Sequence, residues 1–158
     1  MKTMYFRWTV VLVTAVLFFS SCAFLDVFLS NNTYPPSGPP PNENYIVLAD
    51  YGLMVMKKDM GKSTKSAGDD MSKQIRLGGF SDWRLPTQGE LAILYNERNK
   101  IGGFTNSRYW SSTPHQQVGG GNFFVYIDFS NGSMGYHLDM FNQQPLAVRC
   151  VRSAYPSR

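Results

Sequence analysis

The chain has 158 residues, enough for one domain and a leader, and its 43 % apolar content can fill a core. Charged residues are only 16 % and aromatics 15 %, with 14 glycines and 9 prolines, a profile that excludes a helical bundle and a disordered chain and fits a loop-rich domain with β-structure. The net charge of +4 falls to +2 once Lys2 and Arg7 leave with the leader described next, too small a surplus to support nucleic-acid binding.

The N-terminus carries Lys2 and Arg7, then the apolar run Trp8–Phe19, then Ser20, Ser21 and Cys22. A basic start, a short apolar stretch and small residues before a cut site describe a secretion signal over 1–21. The 12 apolar residues make a helix of about 18 Å against a ~30 Å hydrocarbon core. Phe19-Ser20-Ser21-Cys22 resembles the lipobox of bacterial lipoproteins, with Phe19 where Leu is usual. That resemblance implies a diacylated Cys22 and cleavage before it, hence an anchor in the bacterial cell envelope, at the outer membrane or cell surface. A rival reading joins Trp8–Leu29 into one transmembrane helix with Asp26 near its end. Both readings put the rest of the chain outside the cytoplasm.

Ser30–Asn44 reads as a tether, since five of its 15 residues are proline. At roughly 3.1 Å per residue it could lift a domain about 45 Å off a bilayer. The domain is expected over 45–152, with 153–158 as a tail. Tyr45–Leu48 and Leu53–Met56 are predicted strands joined at Asp50-Tyr51-Gly52. Lys57–Gly68 is polar and is expected as loop. Five lysines fall between Lys57 and Lys73, a solvated stretch with a weaker claim to be a patch for acidic polymers. Asp69–Leu77 is predicted as a short helix using Met71, Ile75 and Leu77, stopped by Gly78-Gly79. Thr87-Gln88-Gly89-Glu90 is a capping box, opening a helix with Leu91, Leu94 and Tyr95 as its buried stripe. Beyond Gly102-Gly103 the period becomes two. Arg108–Ser112, Phe123–Phe129, Ser133–Met140 and Leu146–Arg152 are predicted strands, with Asn131-Gly132 turning the middle hairpin. Two helices before a run of antiparallel strands make an α+β domain.

The segment Gly79-Phe80-Ser81-Asp82-Trp83-Arg84-Leu85-Pro86-Thr87, with Glu90, Leu91 and Leu94 following, resembles the G-x-x-D-W-R-L-P-T-x-x-E-L-x-x-L core of the Lcl C-terminal domain family. Gly52-Leu53-Met54, Tyr109-Trp110-Ser111-Ser112, Phe129 with Gly132, and Val148-Arg149-Cys150-Val151-Arg152 match its other motifs in order. The resemblance implies a C-type-lectin-like fold, in which first and last strands pair, two helices flank the sheet and a long loop region presents a ligand surface. Its named founder is a surface adhesin that binds sulfated polysaccharides, and a related use of the fold is as the variable binding protein of diversity-generating retroelements. Asp82, Trp83, Arg84 and Arg149 are expected as framework: an indole whose donor needs a partner, and guanidinium forks for carboxylates or carbonyls.

Catalysis finds no support, and no cofactor is expected. His115 and His137 have no metal-ligand spacing, and no nucleophile elbow or phosphate loop is present. The formylglycine-generating relatives of the fold use a cysteine pair that this chain lacks. Cys150, in an apolar alternation, reads as a buried small hydrophobe. Asp128 and Asp139 read better as polar strand residues than as a catalytic pair. Ligand contact is instead expected from Tyr136, His137, Asp139, Phe141 and Asn142, with His115 and the Gly-rich loop to Asn122 alongside. These residues mix stacking faces with adaptable hydrogen bonding, although strand alternation sets Tyr136 and Leu138 opposite His137 and Asp139. The expected ligand is an extracellular glycan or protein. A structural or assembly subunit of the envelope, using the same aromatic surface on a partner, is the alternative.

Overall fold

The computed structural model describes residues 42–115, 121–140 and 144–155. β1 (Tyr45–Leu48) and β2 (Leu53–Met56) form the predicted hairpin, in register Tyr45 to Met56. A single 3-10 turn, Ala49–Tyr51, joins them and ends on Gly52 at φ 59°, whose amide donates to the Ala49 carbonyl at 3.1 Å. That left-handed backbone is where glycine is needed.

The polar stretch after β2 is more ordered than its composition implies. β3 (Lys62–Ser63) lies within it, and α1 starts there too, running Lys65–Gln74 rather than from Asp69. Its buried positions are Gly68 and Ser72 rather than the predicted Met71 stripe. Small residues are needed because the helix runs close to Val148: a Cβ on Gly68 would lie 3.0 Å from Val148 Cγ2. Thr64 caps it by accepting from the Ala67 amide at 3.3 Å. Leu77–Gly79 is a 3-10 turn, not a continuation of the helix.

α2 (Gln88–Asn96) opens on the full capping box of Thr87 and Glu90, and buries Leu91 and Leu94. A one-turn helix, α3 (Arg98–Ile101), follows. β4 (Arg108–His115), β5 (Phe123–Asp128) and β6 (Met134–Leu138) form an antiparallel meander. In β4 the register shifts between Trp110 and Pro114. The shift keeps side-chain faces aligned because it spans an even number of residues: Trp110 pairs with Tyr126 and Pro114 with Phe124.

The predicted last strand is two strands in two sheets. β7 (Leu146–Ala147) lies between β3 and β4 in a five-stranded sheet of order β3-β7-β4-β5-β6. β8 (Val151–Ser153) completes a three-stranded sheet of order β1-β2-β8. The final strand therefore pairs with β2 and not with β1, contrary to the pairing the resemblance implied. Val148 leaves strand geometry because its backbone bonds to the loop after β2: its amide donates to Gly61 and its carbonyl accepts from Met60. Among the described residues no helix is long and apolar enough to cross a membrane.

Three helices with antiparallel and mixed sheets make the domain α+β. One apolar cluster, including Leu91, Leu94, Tyr109, Ile127 and Phe129, fills the space under α2. A second, including Tyr45, Trp83, Leu85, Trp110 and Val148, lies on the other side of the β4–β5 ladder.

Candidate functional site

The Asp82–Pro86 segment is framework, as its residue chemistry predicts. The Asp82 carboxylate takes Arg152 Nε at 2.7 Å and Nη2 at 3.1 Å. Trp83 is buried and its indole donates to the Leu77 carbonyl at 3.1 Å. Arg84 forks onto Glu90 with both bonds at 2.7 Å. The backbone of this segment also joins the two sheets. Arg84 exchanges both backbone bonds with Val151 at 2.9 Å, while the Pro86 carbonyl accepts from the Ser112 amide at 2.7 Å. Arg149 is fully buried and holds Asp59 together with the carbonyls of Met56, Gly102 and Gly103. Cys150 is buried as well, and burial pushes its thiol up to about 12.

The residues expected to contact ligand divide between opposite faces of the β4–β5–β6 ladder. On the first face, the His115 and Tyr136 rings stack at 4.3 Å and 5°, and Phe123 meets Tyr136 edge-on at 6.0 Å. Pairing puts these side chains with Val125 and Ile127, whose far end lies under α2. The β6 edge of this face is open: Tyr136, beside Val125, is 48 % exposed and Met134, beside Ile127, is 54 % exposed. Met140, just past the strand, is exposed too.

On the second face His137 is engaged. Its ring stacks on Trp110 at 5.6 Å and its Nε2 donates to the Gln144 carbonyl at 3.1 Å. Asp139 is engaged more firmly. Its carboxylate accepts from the Lys65 amide at 2.9 Å, from the Ser66 amide at 3.2 Å and from the Ser66 hydroxyl. It therefore caps the N-terminus of α1, where a negative charge meets the positive end of the helix dipole. These bonds engage both oxygens of the carboxylate. Phe141, Asn142 and residues 116–120 of the Gly-rich loop lie outside the described residues.

A feature that sequence reasoning missed adjoins His137 on this second face. A polar cleft of about 290 Å³ opens between Lys62 of β3, Asn106–Arg108 at the start of β4, Asp128 and Ser130 after β5, and Gln144–Leu146. Arg108 lies over the Tyr126 ring at 5.1 Å and reaches Asp128 only through Nε, at 3.4 Å. Asp128 is held chiefly by Ser130, whose amide and hydroxyl both donate to it, and its carboxyl is kept below the usual carboxylate range by those bonds. The one sequence signal was the lysine-rich stretch, and the fold divides it. Lys65 pairs with Asp69 and Lys73 with Asp70, whereas Lys57, Lys58 and Lys62 have no ion-pair partner among the described residues. Nor do the described residues contain a group of His, Cys, Asp and Glu suited to a metal ion.

Fold and surface thus define an α+β domain whose sequence motifs build the scaffold and leave the β6 edge of a meander open. The Lcl C-terminal domain family model matches residues 43–152, and the chain belongs to that family. No curated protein matches the chain.

Proposed function

We propose that the chain is a cell-envelope lipoprotein, anchored through Cys22 and held off the membrane by its Pro-rich tether, whose domain binds an extracellular glycan or protein. The observation that carries the binding reading is the open β6 edge of the meander's first face. There a solvent-exposed tyrosine is held flat by a histidine and an edge-on phenylalanine, with an exposed methionine on the same face. An aromatic ring pre-ordered in this way can stack on a sugar ring or a partner's apolar side chain with little further loss of freedom. Binding is favoured over catalysis because ionisable groups at this end of β6 are already engaged: Asp139 at a helix end and His137 on a carbonyl.

The test is a glycan array and a pull-down from surface extracts with the full chain, followed by the double variant Tyr136→Ala/His115→Ala. Binding should weaken tenfold or more, about 1.4 kcal/mol, with thermal unfolding little changed. Equal affinity in the folded variant would place the contact elsewhere. Recovery only as a fixed-stoichiometry complex with one envelope protein would favour an assembly subunit. For the anchor, Cys22→Ala should abolish lipid on the N-terminal peptide and release the chain. Unchanged membrane extraction would favour a transmembrane leader.

A further inference from the structure

We propose that the cleft beside Arg108 is a second binding site, which takes a single carboxylate-bearing sugar residue of the uronate kind. The site is separate from the Tyr136 face and lies across the sheet from it. Its volume of about 290 Å³ falls at the low end for small-molecule sites, room for one ring rather than a chain of them.

Charge selects the ligand class. Two cations, Lys62 and Arg108, and one anion, Asp128, line the cleft, so it carries a surplus of one positive charge. Asp128 pairs with Arg108 but is held chiefly by Ser130, so Lys62 carries the surplus charge and the guanidinium keeps donors to spare. The contact between them is a single long one through Nε, and neither Nη of Arg108 has a partner among the described residues. Stacking on Tyr126 fixes the plane of the guanidinium. A planar group with two unused parallel donors fits a carboxylate edge-on, which is the geometry of bidentate recognition. Lys62 adds a point charge to the same lining.

The rest of the lining fits a sugar better than an acidic peptide side chain. Asn106, Ser107 and Gln144 each carry a side-chain group that can donate and accept, and no side-chain hydrogen bond occupies them among the described residues. Pyranose hydroxyls need such two-way partners. Pro145 and Leu146 supply a small apolar patch for a C–H face of the ring. An apolar ligand would leave the polar lining unpaired.

The experiment uses the folded full chain without its leader and the methyl glycosides of glucuronate, galacturonate and mannuronate. Methyl glucoside and glucose 6-sulfate serve as comparators, read by protein-observed NMR titration. At least one uronide should bind in the millimolar range, with shifts at Asn106, Ser107 and Gln144, and methyl glucoside should bind at least tenfold more weakly. Arg108→Lys keeps the charge but loses the fork, and should weaken the uronide tenfold. Lys62→Ala should weaken it less, and Lys73→Ala, on an exposed helix face, should not. No binding by any uronide up to tens of millimolar overturns the proposal. So does equal binding of methyl glucoside, or an Arg108→Lys variant that binds as well as the parent. Glucose 6-sulfate binding as tightly as the best uronide would overturn the carboxylate assignment in favour of a general anion site. The titration is read separately from the Tyr136 experiment, so either result can fail while the other stands.

Discussion

Arg149 has no exposed surface, yet all of its donors are used. Nε and Nη2 reach Asp59, Nη1 reaches the Met56 and Gly102 carbonyls, and Nη2 also reaches Gly103. Tyr109 donates to the same Asp59 carboxylate at 2.7 Å, and the Phe104 ring lies 3.9 Å from the guanidinium carbon. One side chain thereby holds the loop after β2 against the Gly102-Gly103 turn. Replacing it with methionine would leave Asp59 facing a low-dielectric interior with its charge unmatched. We expect Arg149→Met to lose about 3–5 kcal/mol in urea unfolding. A loss below about 1 kcal/mol would show that Asp59 can turn out to water. Roles of this kind were legible from residue type alone: a guanidinium on an apolar strand needs several acceptors, as Arg84 on Glu90 also shows. The role of Asp139 was not legible, because its partners Lys65 and Ser66 lie more than 70 positions away in the chain.

At the scale of elements, the hairpin of β1 and β2 and the helix α2 were readable because their determinants are local: a Gly-closed turn, a capping box and a periodic stripe. α1 was not, because what begins and supports it is distant. Its first amides are satisfied by Asp139 from the end of β6, and its buried face is made of glycine and serine set against Val148. A stripe of apolar residues could not have marked it. The division of Leu146–Arg152 between two sheets was hidden for the same reason, since an unbroken alternation gives no sign of where its hydrogen bonds go. Asp139→Ala should fray the first turn of α1 and cost about 1 kcal/mol, with hydrogen exchange rising at Lys65 and Ser66 first. Thr64→Ala should act on the same end of the helix by a similar amount. If exchange there were unchanged in the Asp139 variant, Thr64 alone would suffice as the cap.

At the scale of the whole molecule, three carboxylates among the described residues are held below their usual range. Arg152 is the main cause for Asp82, and the bonds from Ser130 are the main cause for Asp128. For Glu90 burial works upward and is outweighed by Arg84 and the Thr87 amide. A carboxylate whose pKa is lower folded than unfolded contributes fully above the unfolded value, about 4, and loses that contribution as pH falls through the folded one. The thermal midpoint should therefore hold from pH 7 to about 5 and decline below about 4. Asp82→Asn should lower the midpoint at pH 7, with the gap to the parent closing by pH 2–3. Calorimetry that showed a constant gap at both pH values would assign the effect of Asp82 to something other than its charge.

The chain's last strands have a consequence for how the domain comes into being. Residues 146–153 supply β7 to one sheet and β8 to the other, and Val151 also exchanges backbone bonds with Arg84. A chain made from its N-terminus at roughly 5–20 residues per second must therefore present residues 146–153 before either layer can close. Until then β2 lacks the second of its two neighbours and the cluster around Trp83 has no Val148 or Cys150 to pack on. Partial folding during synthesis is disfavoured by topology until residues 146–153 have been made.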